Sequence, residues 1–263
     1  MKRPISALLA TVTAAGASVA FTAPAIADGE VNVYSYRQEV LMRPLFDRFT
    51  KRTGIRVNVA FIKQGMLTRL KAEGLNSPAD VVLTVDAARI IRVDQAGVFQ
   101  PVSSKILDEN IPAKYRHPKG HWFGLTMRGR PIMYNPAKVK PSELSTYEAL
   151  ADPKWKGRIC IRSSGSVYNQ SLIASLIAHN GKEAAQKWAN AFVKNFARKP
   201  AGGDRDQIRA AASGECDIAI ANTYYLGALT KSKKASDREA AAKIRIFWPN
   251  QNGRGTHVNI SGA

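Results

Sequence analysis

The stretch ANTYYLG sets Tyr224 and Tyr225 side by side, directly after the apolar run CDIAIA. Neighbouring side chains diverge by about 100° on a helix and point to opposite faces of a strand, so two adjacent phenols meet one object only where the backbone turns. Two other stretches also put tyrosine at the exit of an apolar run. RICIRSSGSVYNQ carries Tyr168 after a small-residue turn, and VNVYSYRQE carries Tyr36, followed by Arg37, Gln38 and Glu39. Phenol is neutral near pH 7, with a reference pKa of about 10. A highly charged cation reverses that preference by stabilising the anion. Phenolate is a hard oxygen donor suited to a small trivalent cation such as Fe³⁺, and tyrosine ligates iron in haem sites. Helix N-termini nearby favour the ionised form or hold a companion anion. Packing, or stacking on a sugar, is the other chemistry open to such a pair.

Strand and helix signals alternate around these residues. VNVYSY (31–36), IRVNVAF (55–61) and ADVVLTV (79–85) read as strands. Helical stripes fill the intervals: Leu41, Met42, Leu45, Phe46 and Phe49, ended by Gly54; then MLTRLKAE; then a helix over 87–95. This order favours a mainly parallel sheet with helices on both faces. GLTMRGRPIMYN reads as one long extended segment leading out of that unit. A second unit follows, with strands RICIR, ECDIAIA and KIRIFWP. Its helices are YNQSLIASLIAHN, AAQKWANAFVKNF, DRDQIRAAAS and one starting at TYYLGALTK with Thr223 as N-cap. Two α/β units joined by extended crossovers leave a cleft between lobes. Ligands of open α/β sheets bind beyond the carboxyl ends of the strands, and Tyr168, Tyr224 and Tyr225 fall at such ends.

Lys2 and Arg3, an apolar middle and Ala25-Ile26-Ala27 form a secretory leader over 1–27, so the mature chain is expected to begin at Asp28. No later run approaches the roughly 20 apolar residues that span a bilayer. A soluble periplasmic protein without membrane insertion is therefore expected. The net charge of +19 suggests attraction to anions. Lysines and arginines are dispersed, with KSKK at 231–234 the tight cluster, and no nucleic-acid motif accompanies them. In an oxidising compartment Cys160 and Cys216 are expected to pair across a loop of about 55 residues, with buried free thiols as the alternative. His117 and His121, four apart in a segment with proline and glycine, read as loop histidines rather than a zinc pair. No nucleophile–base–acid set is recognisable and G-x-S-x-G is absent, so an enzyme is not expected.

The stretches VNVYSYRQ, SPADVVLTVD, WFGLTMRGRPIMYN, WKGRICIRS, YNQSL, ARKPAGGDRDQI, GECDIAIANTYYLG and GTHVNISG resemble, in order and over almost all of 28–263, the periplasmic ferric-ion-binding proteins, soluble receptors of iron ABC importers. The resemblance implies an α/β, two-lobed type II periplasmic binding fold with a ligand cleft between lobes. Lobe 1 would be 28–127, joined again by about 253–263, and lobe 2 128–252. It implies Tyr168, Tyr224 and Tyr225 as Fe³⁺ ligands. It also implies that Arg37, Gln38 and Arg128 hold carbonate or a similar anion, although Arg130 is an equally suitable donor. Some members add a histidine or fourth tyrosine after the first strand, where this chain has Gln38 and Glu39. Tyr36 falls two residues early; it reads as structural, with a role as additional ligand left open. The family continues beyond NISG with further helices, so a chain ending at Ala263 is expected to lack the C-terminal part. A membrane permease is the implied partner of a monomeric receptor. An oxyanion receptor without metal, or a basic secreted protein binding anionic polymers, are the alternatives.

Overall fold

The computed structural model describes residues 29–263, and the expected leader lies outside the described residues. The first unit runs β1 (Glu30–Ser35), α1 (Glu39–Thr53), β2 (Arg56–Phe61), α2 (Met66–Glu73), β3 (Val81–Leu83), α3 (Ala87–Gln95) and α4 (Lys105–Asn110). Its three strands form a parallel sheet in the order β2-β1-β3. Alternation along β1 sends Val33 and Tyr34 to opposite faces. Val33 packs with Met42 and Leu83, and Tyr34 with Met66, Leu70, Val82 and Val93, so helices cover both sides. Gly54, at φ 76°, ends α1 as expected. The stripe on that helix splits: Met42 and Phe46 pack inward, while Leu41, Leu45 and Phe49 are exposed. β3 is shorter than ADVVLTV suggests because Thr84 N–H turns from the sheet to donate to Gly262 O at 2.8 Å. α4 has no counterpart among the sequence-predicted elements. Its six residues are too few for a periodic stripe, and Ser104 caps it by accepting from Leu107 N–H.

The expected long extended segment GLTMRGRPIMYN is two strands in two sheets, β4 (Gly124–Gly129) and β5 (Ile132–Tyr134). The chain breaks at Arg130-Pro131: proline has no N–H to give a ladder, and Arg130 N–H leaves to donate to His257 O at 3.0 Å. The second unit continues with β6 (Ile159–Cys160), α5 (Val167–Asn180), α6 (Lys182–Phe192), α7 (Asp204–Ser213), β7 (Ile218–Ile220), α8 (Thr223–Thr230), α9 (Ala235–Ala242) and β8 (Arg245–Phe247). Its sheet has the order β6-β7-β5-β8. It is mixed rather than mainly parallel, because β5, entering straight from β4, runs antiparallel to both β7 and β8. β9 (Val258–Gly262) then pairs antiparallel with β4, so one two-stranded ribbon joins the units.

The second core also follows strand alternation. Ile132 and Tyr134 pack with Tyr147, Trp155, Leu176 and Ile218, and Met133 with Ile208, Ala211, Ala219 and Ile244. Cys160 of β6 is bonded to Cys216 just before β7, closing a separation of 56 residues. A loop of that length stabilises by about 4 kcal/mol in the chain-entropy model. Cys160→Ser with Cys216→Ser is therefore expected to lower the urea unfolding midpoint clearly, by up to that free energy. An unchanged midpoint would contradict a stabilising role for the bond.

Candidate metal centre

Tyr168 is the second residue of α5, and Tyr224 and Tyr225 are the second and third of α8. The two helix starts face one another, and Tyr224 Oη donates to Tyr168 Oη at 3.2 Å. The rings of Tyr224 and Tyr225 lie 4.2 Å apart at 37°, so the neighbours sit together on the first turn instead of diverging. Thr223 is not the N-cap of α8: Asn222 holds that position, and Thr223 is the first helical residue. Asn222 makes no side-chain cap, because its amide oxygen is used elsewhere. Burial, then the Tyr168 phenol, pushes the Tyr224 hydroxyl far above the ordinary tyrosine range. Burial raises Tyr225 as well, with Tyr168 and Asp204 adding to the shift. In the metal-free molecule these phenols are neutral.

What holds the helix starts together is Arg130. Its side chain is 2% exposed. Nη1 donates to Asp204 Oδ2 and Asn222 Oδ1, each at 3.0 Å. Nη2 donates to Asn169 Oδ1 at 2.6 Å and to Ile220 O at 3.3 Å. Asn169 follows Tyr168, Asn222 precedes the tyrosine pair, and Asp204 opens α7. Asp204 Oδ2 also accepts from Asn222 N–H at 3.2 Å, and Asn169 Nδ2 donates to Arg162 O at 2.8 Å. One guanidinium thus fastens three helix starts, and Arg130 is committed to this frame rather than available to an anion. Asn169, Asp204 and Asn222 received no role from the sequence, although each lies within a few residues of a candidate ligand or in the DRDQI stretch.

The site is ringed by cations. The guanidinium carbons of Arg128, Arg130 and Arg162 lie 5.6, 5.8 and 5.5 Å from the Tyr168 ring centre. Arg205 lies 5.6 Å from that of Tyr225. Arg37 reaches in from the carboxyl end of β1, donating to Thr126 Oγ1 at 3.2 Å, while its buried Nε has no partner. Burial, then the charge of Arg128, lowers its pKa below the ordinary arginine value; Tyr224 and Tyr168 oppose the shift. Arg128, expected as an anion donor, is held against the first unit and β9. It donates to Ser261 Oγ at 2.9 Å, to Val85 O and to Asp86 Oδ2. Gln38 is exposed at the N-cap of α1 with no side-chain cap bond. Tyr36 packs against the Met66–Leu70 cluster, with Arg89 4.8 Å from its ring.

Asn259 and His257 connect the units beside this site. Asn259 accepts from Ala87 N–H at the start of α3 at 3.0 Å and donates to Ser171 Oγ on α5 at 2.7 Å. His257 Nε2 lies 2.9 Å from the same hydroxyl. Burial, then repulsion by Arg130, Arg128 and Arg254, lowers the His257 pKa to about 4. A cavity of about 750 Å³ lies elsewhere, between Leu70, Val82, Val98, Phe123 and Ala263, and touches none of the tyrosines named above.

The family model for bacterial extracellular solute-binding proteins matches residues 76–259, and the chain belongs to that family. Its architecture is the two-lobed type II periplasmic binding fold. The chain is similar to iron uptake protein A1 of Synechocystis sp., at 55% identity over 89% of this chain and 65% of that one. It thus spans just under two thirds of that relative. It is 32% identical to the Fe(3+)-binding periplasmic protein of Serratia marcescens, over 100% of this chain and 76% of the relative. A solved structure of the Trichodesmium protein IdiA (FutA) in complex with iron and citrate ligands superposes with a TM-score of 0.85 at 55% identity. It covers 89% of this chain and 74% of that one.

Two expectations follow from the frame. Arg130→Met strands the buried Asp204 carboxylate and should destabilise the protein by about 3–5 kcal/mol in urea unfolding, with Asp204→Leu added to it restoring most of the loss. A single-variant loss below about 1 kcal/mol, the worth of a surface pair, would contradict the central position of Arg130. His257 has a folded-state pKa below its unfolded value of about 6.5. The unfolded chain therefore binds more protons between the two values, and stability falls as pH drops from about 6.5 to about 4. His257→Gln should flatten that slope, and an unaltered slope would contradict the assignment.

Proposed function

We propose that the protein is a periplasmic receptor that binds Fe³⁺ in the cleft and hands it to the membrane permease of an ABC importer, without chemical turnover. The observation that carries this reading is the 3.2 Å contact of the Tyr168 and Tyr224 hydroxyls, with Tyr225 packed beside them, in a ring of arginines. The iron-binding relatives and the iron-and-citrate neighbour support it. Ion binding replaces the phenolic protons: each phenol that ligates becomes a phenolate, and three of them balance the charge of Fe³⁺. Burial raises the pKa of Tyr224 and Tyr225, so protons compete strongly and iron is released as pH falls. Arg37, with an unpartnered Nε and a like charge nearby, takes carbonate or a similar anion together with Gln38. Arg128 contributes its charge from a fixed position. Residues 28–127 with 253–263, and residues 128–252, act as the two lobes that close on the ion.

Titrating the iron-free protein with ferric citrate should produce a visible phenolate-to-iron charge-transfer band. Tyr224→Phe with Tyr225→Phe should remove the band and iron binding, and acidification should bleach it. A colourless iron complex, or a double variant with undiminished affinity, would contradict the proposal. The crowding of Arg37 and Arg128 also favours a second reading, an oxyanion receptor without metal. That reading gains if iron-free protein binds phosphate or sulfate with an affinity that the tyrosine substitutions leave unchanged.

A further inference from the structure

Outside the cleft, three metal-ligating side chains meet at the far end of α3. Asp94 is the penultimate residue of that helix. His117 and His121 flank the tight turn HPKGH, closed by Gly120 N–H donating to His117 O at 3.0 Å and His117 N–H donating to Trp122 O at 2.9 Å. Gly120 has φ +74°, and a Cβ there would stand 2.4 Å from Val102 O, so glycine is required and the turn is held in one shape. The turn brings the imidazoles face to face, with ring centres 4.4 Å apart. His121 Nδ1 lies 2.8 Å from Asp94 Oδ1, and His117 Nε2 lies 3.6 Å from Asp94 Oδ2. One ligand atom from each residue falls within 4.8 Å of the other two. The side chains are 18–28% exposed, sheltered yet open to solvent.

We propose that Asp94, His117 and His121 form a second cation site, for a borderline divalent ion of the Zn²⁺ class. Two imidazoles and a carboxylate with room for water are a zinc ligand set with an open position. They differ in kind from the hard phenolate set of the cleft, because imidazole suits zinc and its neighbours in the transition series. In the metal-free molecule His117 Nδ1 accepts from Lys119 N–H at 3.2 Å, which leaves the ring proton on Nε2, facing Asp94. Loading moves that proton to Nδ1 and gives up the Lys119 contact. His121 Nδ1, which donates to Asp94 Oδ1 at 2.8 Å before loading, likewise gives up its proton, which moves to Nε2. One ring also rotates out of the parallel stack, since lone pairs in two parallel planes do not aim at one point. The bound ion staples the 117–121 turn to α3.

The test uses the full chain carrying Tyr168→Phe, Tyr224→Phe and Tyr225→Phe, which removes the cleft ligands. Calorimetric titration with Zn²⁺ alone should give one equivalent bound. Adding His117→Ala and His121→Ala should abolish that uptake, and adding Asp94→Asn instead should weaken it by at least about tenfold. Cooperative thermal unfolding of the histidine-substituted chain in EDTA separates lost uptake from lost folding. Failure of the triple-Phe chain to take up Zn²⁺, or equal uptake with and without the histidines, would overturn the proposal. Neither result bears on iron binding by the tyrosines.

Discussion

A single buried charge organises the site. Arg130 carries a guanidinium that water cannot reach, and burying such a charge costs a great deal unless it is paired and hydrogen-bonded. Asp204 supplies the counter-charge, and Asn169, Asn222 and Ile220 O accept the other bonds of Nη1 and Nη2, while Nε is buried without a partner. Each acceptor sits at, or just before, the start of a helix. Holding the two Nη groups therefore fixes the relative placement of α5, α7 and α8, and with it the distance between Tyr168 and Tyr224. Asp204 Oδ1 has no hydrogen bond, and Arg162 Nη1 lies 3.7 Å from it. Arg130 and Arg162 thus share one carboxylate, which leaves an excess of positive charge in the frame.

That excess matters because the phenols and the arginines have opposite needs. Tyr224 and Tyr225 are neutral while burial dominates, and burial, then the charge of Arg128, lowers the pKa of Arg37. Converting phenols to phenolates, or admitting an anion at Arg37, relieves both conditions at once. A trivalent cation can drive that conversion because it binds the anionic oxygens directly. The same electrostatics explain why His257, close to Arg130 and Arg128, stays neutral in its bond with Ser171. The link from α3 through Asn259 to Ser171 then joins the two units without adding charge.

Much of the architecture is legible in the sequence because the strands alternate and the helices end at glycine. Gly54 marks the end of α1, and the short apolar runs mark β1, β2 and β7. Strand direction is not legible: the mixed second sheet follows from β5 entering directly from β4, which depends on Pro131 and on where Arg130 N–H goes. Nor does local pattern separate Arg128 from Arg130. The two lie two residues apart on extended chain, yet one is tied to Val85, Asp86 and Ser261, and the other is the buried centre of the frame. The tyrosines stand out because they follow apolar runs at helix starts. Asp94 does not, because it meets His121 from 27 residues away, through tertiary structure alone.

The most direct measurement is resonance Raman spectroscopy of the iron-loaded protein, excited within its visible band. Tyrosinate ring vibrations should be strongly enhanced, and each of the single variants Tyr168→Phe, Tyr224→Phe and Tyr225→Phe should weaken them. A loaded protein without enhanced tyrosinate modes, or with modes that none of the three substitutions alters, would show that the phenols gathered around Arg130 do not hold the metal.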